Sequence, residues 1–408
     1  MNCRHCGTLL QHPFLDLGSA PPSNAYLTAE SLNAPEQWYP LRLLVCEKCW
    51  LVQTEDFSNA ESLFTADYAY FSSFSKTWLD HARDYVHSMI DRFSLGSNSE
   101  VCEVAANDGY LLQFVQEAGI PCIGIEPTSG TAEVARKKGI TIIEEFFGES
   151  LAQKLVKKGH AADLMTANNV LAHVPDINDF ISGFRTLLKP QGVATFEFPH
   201  LLCLVKENQF DTVYHEHYSY LSLTAVQTIF SCNGLQIFDV EQLPTHGGSL
   251  RIYAQRADKN SHERTDRVDE LLTVEKAEGI NSSAFYTNFQ KKTELVKNNL
   301  LSFLLECKQQ HLKVAAYGAA AKGNTLLNFA GIRSDLLHYV VDKNPAKQDK
   351  FMPGSRIPIV TEAHLENDRP DRVLILPWNL CDEVKNQLKY IRQWDGKFVT
   401  AVPELKID

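Results

Sequence analysis

Two CxxC pairs near the start of the chain, Cys3-x-x-Cys6 and Cys46-x-x-Cys49, restrict what it can fold into more than any other feature. Four thiolates on two tight knuckles can close a tetrahedral shell around zinc and leave no open coordination position. A metal held by Cys3, Cys6, Cys46 and Cys49 is therefore expected to be structural. Gly7 follows the first pair directly, where the chain must turn sharply beneath the sulfurs. The segment 1–67 is rich in Pro, Asn and Cys, with short strand-like runs such as Tyr39–Val45. So small a domain buries little surface by itself, and a bound metal compensates. The other six cysteines are scattered singly, and no apolar leader precedes the first pair. Both observations suit a reducing cytoplasm better than a disulfide framework.

The 408 residues exceed one ordinary core, and the patterning divides them into three segments. Segment 68–255 opens with a helical pattern over 77–93 and then alternates: strand 100–105, helix 110–118, strand 122–126, helix 131–138. Strand 141–144, helix 149–157 and strand 163–167 continue it, and strand 192–198 follows a turn signal at Lys189-Pro190-Gln191-Gly192. Such alternation predicts a mostly parallel, doubly wound, Rossmann-like sheet. Segment 256–408 adds helices over 267–279 and 284–310, then a second strand–turn–helix unit at 313–330 and a strand at 337–342. The expected fold is α/β: a small zinc-binding domain, a central doubly wound domain and a C-terminal α/β domain.

Several loops carry chemistry. Glu103-Val104-Ala105-Ala106-Asn107-Asp108-Gly109 joins a strand to a helix, and Glu126 ends the next strand. That pairing suits an adenosine ligand, with the carboxylate on the ribose diol. Its spacing admits S-adenosylmethionine as well as NAD. Alanines at two of the usual glycine positions weigh against a dinucleotide. Asn168, Asn169 and His173 follow a further strand and should face the same crevice. The run from Asp211 to Tyr220 holds Tyr214, His215, Glu216 and His217, the densest acid–base cluster in the chain. It reads either as a metal site, since His-x-His can chelate, or as a base beside a phenol that removes a proton next to a carbonyl. Thr245-His246-Gly247-Gly248-Ser249-Leu250-Arg251 could hold pyrophosphate or sugar through amides and Arg251. Gly318, Lys322 and Asn324 sit on a strand–loop–helix that suits a diphosphate but lacks the Walker spacing.

A formal charge of −11 argues against a broad basic face for nucleic acid or anionic membrane. No run approaches the length of a membrane helix. The expectation is a cytoplasmic enzyme, monomeric by default.

The ordered motifs, from the CxxC head through NDG, NNVLAHVPD, FDTVYHEHYSYLS and PTHGGSLR to YGAAAKGNTLLN, resemble the zinc-containing sugar C-3′-methyltransferases of deoxysugar biosynthesis. The resemblance covers nearly the whole chain; Ala105-Ala106 departs from a more glycine-like loop. It implies that the central domain binds S-adenosylmethionine through Glu103, Asn107, Asp108, Gly109, Glu126, Asn168 and Asn169. It implies His217 as general base, with Tyr214, Glu216 and His173 around it. The substrate is then a nucleotide-linked 4-keto-6-deoxysugar, TDP in preference to GDP. This would be held by Tyr70, His246, Gly247, Arg251, Gly318, Lys322 and Asn324. The rival readings are a keto-sugar 3-epimerase or isomerase, a NAD-dependent sugar dehydrogenase, and a non-catalytic zinc-ribbon protein that binds nucleotide-sugar.

Overall fold

The computed structural model describes residues 1–57 and 71–408; Tyr70 and the expected boundary at 67 lie outside them. Strands β1 (His12–Ala20), β2 (Tyr39–Val45) and β3 (Val52–Thr54) form an antiparallel meander behind the cysteine knuckles. In β2 the alternate residues Leu41, Leu43 and Val45 are buried while Arg42 is exposed, the period of two that a strand with one covered face requires. A fourth strand, Ser219–Tyr220, joins this sheet from far along the chain.

The central domain contributes β4 (Val101–Val104), β5 (Cys122–Ile125), β6 (Thr141–Ile143), β7 (Ala162–Asn168) and β8 (Leu188–Pro199). Then come β9 (the Ser219–Tyr220 strand), β10 (Leu235–Leu243) and β11 (Ser249–Arg256). Its seven-stranded sheet runs β10-β11-β8-β7-β4-β5-β6, parallel from β8 to β6, with β11 antiparallel to both neighbours. Consecutive residues feed opposite faces, as the pleat dictates. Cys102, Met165 and Ala194 pack beneath helices 149–157 and 177–187, whereas Val101, Leu164 and Val193 pack beneath helices 76–93 and 129–137. Covered on both sides, the parallel strands are nearly continuous apolar runs. The chain steps outward from β4 to β6 and returns to β7 on the other side of β4. That reversal opens a crevice at the carboxyl ends of β4 and β7.

Most expected elements are present within a few residues of their expected ends. Two differ. Lys189–Gly192 lies inside β8 rather than in a turn, with a register shift against β7 between Ala162 and Leu164. The expected helix 284–310 is broken into Ser283–Tyr286 and Phe289–Gln309. The break lets the rings of Tyr286 and Phe289 both pack on Phe14 of β1, with centroids 5.4 and 4.8 Å away. The C-terminal domain then forms β12 (Val314–Tyr317), β13 (Val340–Val341), β14 (Ile359–Val360), β15 (Arg372–Ile375), β16 (Lys397–Thr400) and β17 (Lys406–Ile407). It is a second, mostly parallel sheet ordered β14-β13-β12-β15-β16-β17.

Helix 266–278 packs Val268 and Leu271 into the central core and carries the fully buried Glu275. Glu275 accepts from the N–H groups of Leu223 and Thr224, both at 2.7 Å, and from Thr224 Oγ1 at 2.6 Å, so an anion caps helix 223–232. His200 Nε2 lies 2.7 Å from the same carboxylate. Burial disfavours the His200 imidazolium, but the contacts with Cys203 and the Glu275 carboxylate outweigh it and raise the pKa. The charged pair therefore contributes its full stability below the unfolded value of about 6.5 and loses it as pH rises through the higher folded value. Glu275→Gln is expected to lower the melting temperature most at about pH 6, by the equivalent of about 3 kcal/mol. The gap to the parent protein should narrow in melts at higher pH, and a constant gap would contradict the pairing.

Candidate active site

The four cysteine sulfurs lie within 4.8 Å of one another, with Cys3–Cys49 and Cys6–Cys46 each at 3.5 Å. Zinc–sulfur bonds of about 2.3 Å make the edges of a tetrahedron about 3.8 Å long, so the donor set fits zinc. Each knuckle closes the same way: Gly7 N–H donates to Cys3 O at 2.9 Å and Trp50 N–H to Cys46 O at 2.8 Å. The residue after each pair is left-handed, Gly7 at φ 70° and Trp50 at φ 59°. The second knuckle meets this demand without glycine, and Trp50 stacks on Tyr286 at 6.3 Å. Cys46→Ser should release the metal and lower the melting temperature, checked by elemental analysis and thermal melts; retention of a full equivalent of zinc would refute the four-cysteine set.

The loop after β4 turns through left-handed Ala105, Asn107 and Gly109. A Cβ on Gly109 would stand 2.4 Å from Ile140 Cδ1 and 3.3 Å from Ala135 Cβ, so this glycine seats the loop on its neighbours. Glu126, just past β5, accepts from the amides of Asn107 and Thr128, both at 2.9 Å, and ties the two strand ends together. Glu103 Oε2, Asp108 Oδ1 and Asn169 Oδ1 are buried without a hydrogen-bond partner among the described residues. Burial raises the pKa of Glu103 well above the ordinary carboxylate range, and that of Glu126 is also raised by burial. Orphaned acceptors and three carboxylates in one crevice fit a cationic ligand rich in donors. S-adenosylmethionine offers an ammonium, a sulfonium, ribose hydroxyls and an adenine amine. Asn168 closes the strand side, its Oδ1 accepting from Thr166 Oγ1 at 3.4 Å.

The acid–base cluster assembles next to this crevice. His217 Nδ1 donates to Thr212 O at 3.0 Å, which leaves the lone pair on Nε2. Its ring lies 4.0 Å from that of Tyr214 and 4.6 Å from that of His173. His173 Nδ1 donates to the carbonyl of Glu216 at 2.8 Å. The Glu216 carboxylate accepts from Asn24 Nδ2 at 3.2 Å, and its Oε2 is buried without a partner among the described residues. Burial, then repulsion from His173, pushes the pKa of His217 well below its ordinary value, and burial takes His173 to about 4. Both shifts favour the neutral imidazole. His215, the other member of the His-x-His, faces away, its Nε2 near the carbonyls of Tyr39 and Pro40. Among the described residues, the cysteine cluster alone assembles metal-ligand geometry.

Two further segments border the cluster. His246 Nε2 accepts from Asn169 Nδ2 at 3.2 Å, and Trp378 packs over Gly247, whose added Cβ would stand 2.5 Å from the indole. From the C-terminal domain, Lys322 Nζ lies 4.5 Å from the centre of the Trp378 ring and donates to Asn379 Oδ1 at 2.6 Å. Trp378 Nε1 donates in turn to the buried Asp211 at 2.8 Å. Gly318 has φ 89° and abuts Pro377, whereas Asn324 Nδ2 donates to Ser23 O at 2.5 Å beside the N-terminal domain. Arg251 is committed elsewhere: its guanidinium pairs with buried Glu197 at 2.9 Å and with Glu241 at 3.5 Å.

Comparison with known proteins follows this anatomy. The C-methyltransferase C-terminal domain family matches residues 244–403, a zinc binding domain family residues 3–64 and a methyltransferase domain family residues 78–240. The C-methyltransferase NovU of Streptomyces niveus is 32% identical over 99% of this chain and 96% of its own. The chain belongs to this C-methyltransferase family. It is accordingly an S-adenosylmethionine-dependent methyltransferase with a zinc-binding head. The ubiquinone biosynthesis O-methyltransferase of Bartonella bacilliformis is 27% identical over only 29% of this chain and 50% of its own. Among solved structures, magnesium protoporphyrin IX methyltransferase of Synechocystis PCC 6803 with bound SAH is similar over 44% of this chain and 83% of its own, at 18% identity and a TM-score of 0.36. The PH0226 protein of Pyrococcus horikoshii OT3 is similar over 46% and 95%, at 14% identity and a TM-score of 0.39.

Further groups that the motifs did not single out border His246 and Arg251. Glu197 is fully buried and accepts from His81, Arg251 and Thr245 at 2.9–3.1 Å. Its signal was present, a lone carboxylate in the apolar strand Phe196-Glu197-Phe198. Trp78 stacks on His81 at 4.9 Å and approaches His246 at 5.3 Å; nothing local distinguishes it from a core tryptophan. Because Glu126 fastens the loop amide of Asn107, Glu126→Ala should weaken S-adenosylmethionine binding at least about tenfold, the loss of a charge-assisted bond. An unchanged dissociation constant in calorimetry would remove Glu126 from the site.

Proposed function

We propose that this enzyme transfers a methyl group to C3 of a nucleotide-linked 4-keto-6-deoxysugar through an enolate, with TDP as the nucleotide. The observation that carries the reading is His217, a neutral imidazole with Nε2 as its acceptor nitrogen and its ring 4.0 Å from that of Tyr214, bordering the cofactor crevice. A 4-keto group acidifies the hydrogen on C3. His217 Nε2 takes that proton, and the electron pair passes to the carbonyl oxygen. Tyr214, or His217 once protonated, stabilises the oxyanion, since hydrogen bonds and charges act strongly where water is excluded. S-adenosylmethionine, when bound, supplies the electrophilic methyl group. The two reactants are then held together by the crevice, and positioning provides much of the acceleration. His173 orients the base from the side and, through its Nδ1, fixes the backbone at Glu216.

The preference for TDP follows the family resemblance, and the placement of the diphosphate rests on the C-terminal loop. Asp342 accepts from the amides of Ala319 and Asn344, both at 2.8 Å, much as Glu126 accepts from two amides in the central domain. Gly318, Lys322 and Asn324 surround that loop, and we place the diphosphate there, with His246 and Gly247 toward the sugar. Arg251 would act by holding Glu197.

An assay with S-adenosylmethionine and a panel of TDP- and GDP-4-keto-6-deoxysugars should show a gain of one methylene in mass with matching S-adenosylhomocysteine. Entry of solvent deuterium without that gain would favour an epimerase. His217→Ala should lower turnover at least about 100-fold while leaving cofactor affinity unchanged. Near parental turnover would show that the base lies elsewhere.

A further inference from the structure

The strand that leaves the second cysteine knuckle pairs with the strand that leaves the His217 segment. β3 follows the second CxxC pair and pairs with β9 through Val52–Tyr220 and Gln53–Ser219, immediately beyond His217. Thr54 Oγ1 donates to the His217 carbonyl at 3.1 Å, and Thr54 N–H to the Tyr218 carbonyl at 3.2 Å. On the knuckle side, Gln53 Nε2 donates to Cys3 Sγ at 3.3 Å while its Oε1 accepts from Arg4 N–H at 2.9 Å. The Arg4 guanidinium donates to Thr54 O at 3.3 Å and to Pro175 O at 2.9 Å, and lies 5.2 Å from the centre of the Tyr218 ring. Pro175 ends the loop that carries His173, and Tyr218 N–H donates to Ala172 O at 2.8 Å. Gln53 and Thr54 are buried, so water does not compete for these bonds. The His217 ring is fixed by Thr212 and its backbone by Thr54; together these set where Nε2 points.

We propose that the zinc module is a positioning device for the base, with Gln53 and Thr54 as the positioning residues that carry the geometry of the Cys3 knuckle to His217. The proposal rests on His217 being the base. A shift of about 1 Å in a reacting group costs up to about 100-fold in rate, so a small loss of register is enough to be seen.

Thr54→Val keeps the side-chain volume and removes the bond to His217. Gln53→Met keeps the packing and removes the bonds to Cys3 and Arg4. Each is expected to hold one full equivalent of zinc and to bind S-adenosylmethionine within twofold of the parent protein. Turnover and the exchange of the sugar C3 hydrogen with solvent deuterium should both fall about tenfold, with Thr54→Ser restoring them. Turnover and exchange within twofold of the parent would overturn the proposal. So would loss of zinc and cofactor affinity in parallel with activity, which marks a general folding defect. If Thr54→Val does not fold, Gln53→Met decides. An active His217→Ala would instead remove the base reading itself, and because it is read on a separate variant the two failures are distinguishable.

Discussion

The antiparallel pairing of β3 with β9 is the contact on which the arrangement of the chain depends. It brings Thr54 to His217 across 163 residues of sequence and ties the strand that follows the acid–base segment into the N-terminal sheet. A short segment of mixed polar residues such as Val213–Tyr218 has too little apolar surface to fix its own conformation. Here it is held from three sides: by β3, by the loop at Ala172, and by helix 321–330, whose Thr325 Oγ1 donates to Val213 O at 2.7 Å. Each of those supports belongs to a different domain. The three domains are thus coupled through the site, and a shared apolar core of Phe14, Leu43, Phe210, Phe289 and Leu327 joins them behind it.

Desolvation then sets the electrostatics. Burial lowers the pKa of His217, His173 and His246, the last two to about 4, and raises those of Glu103, Glu216 and Asp211, the last to about 6. The same low-polarity surroundings lower Lys322, against the pull of Asp211. Charge is costly everywhere in this region, so charge that develops during reaction is felt strongly by the few groups aimed at it. The crevice beside it is desolvated as well, and its unmatched acceptors at Glu103, Asp108 and Asn169 suit a ligand rich in donors.

Much of this was legible locally. The cysteine spacing gave the metal set, because ligand geometry within a knuckle is decided by adjacent residues. Strand–helix alternation gave the doubly wound sheets, and the run from Tyr214 to His217 announced the acid–base cluster through composition alone. Glu126 was legible as a strand-end carboxylate, but its two amide bonds were not. The interruption at Thr287 and Asn288 was invisible, since helical periodicity continues through it and packing of Tyr286 and Phe289 on Phe14 overrides it.

By itself, the sequence determined which residue types carry chemistry, which strands and helices form, and the order of the domains, all properties written in spacing and periodicity. Tertiary structure alone decided their pairing. It paired Glu216 with Asn24, spent Arg251 on Glu197, and brought Lys322 and Trp378 to Asp211. Those outcomes depend on which distant groups reach each other in a desolvated space. A buried ion or donor takes the partner that packing delivers, and no local pattern encodes that partner.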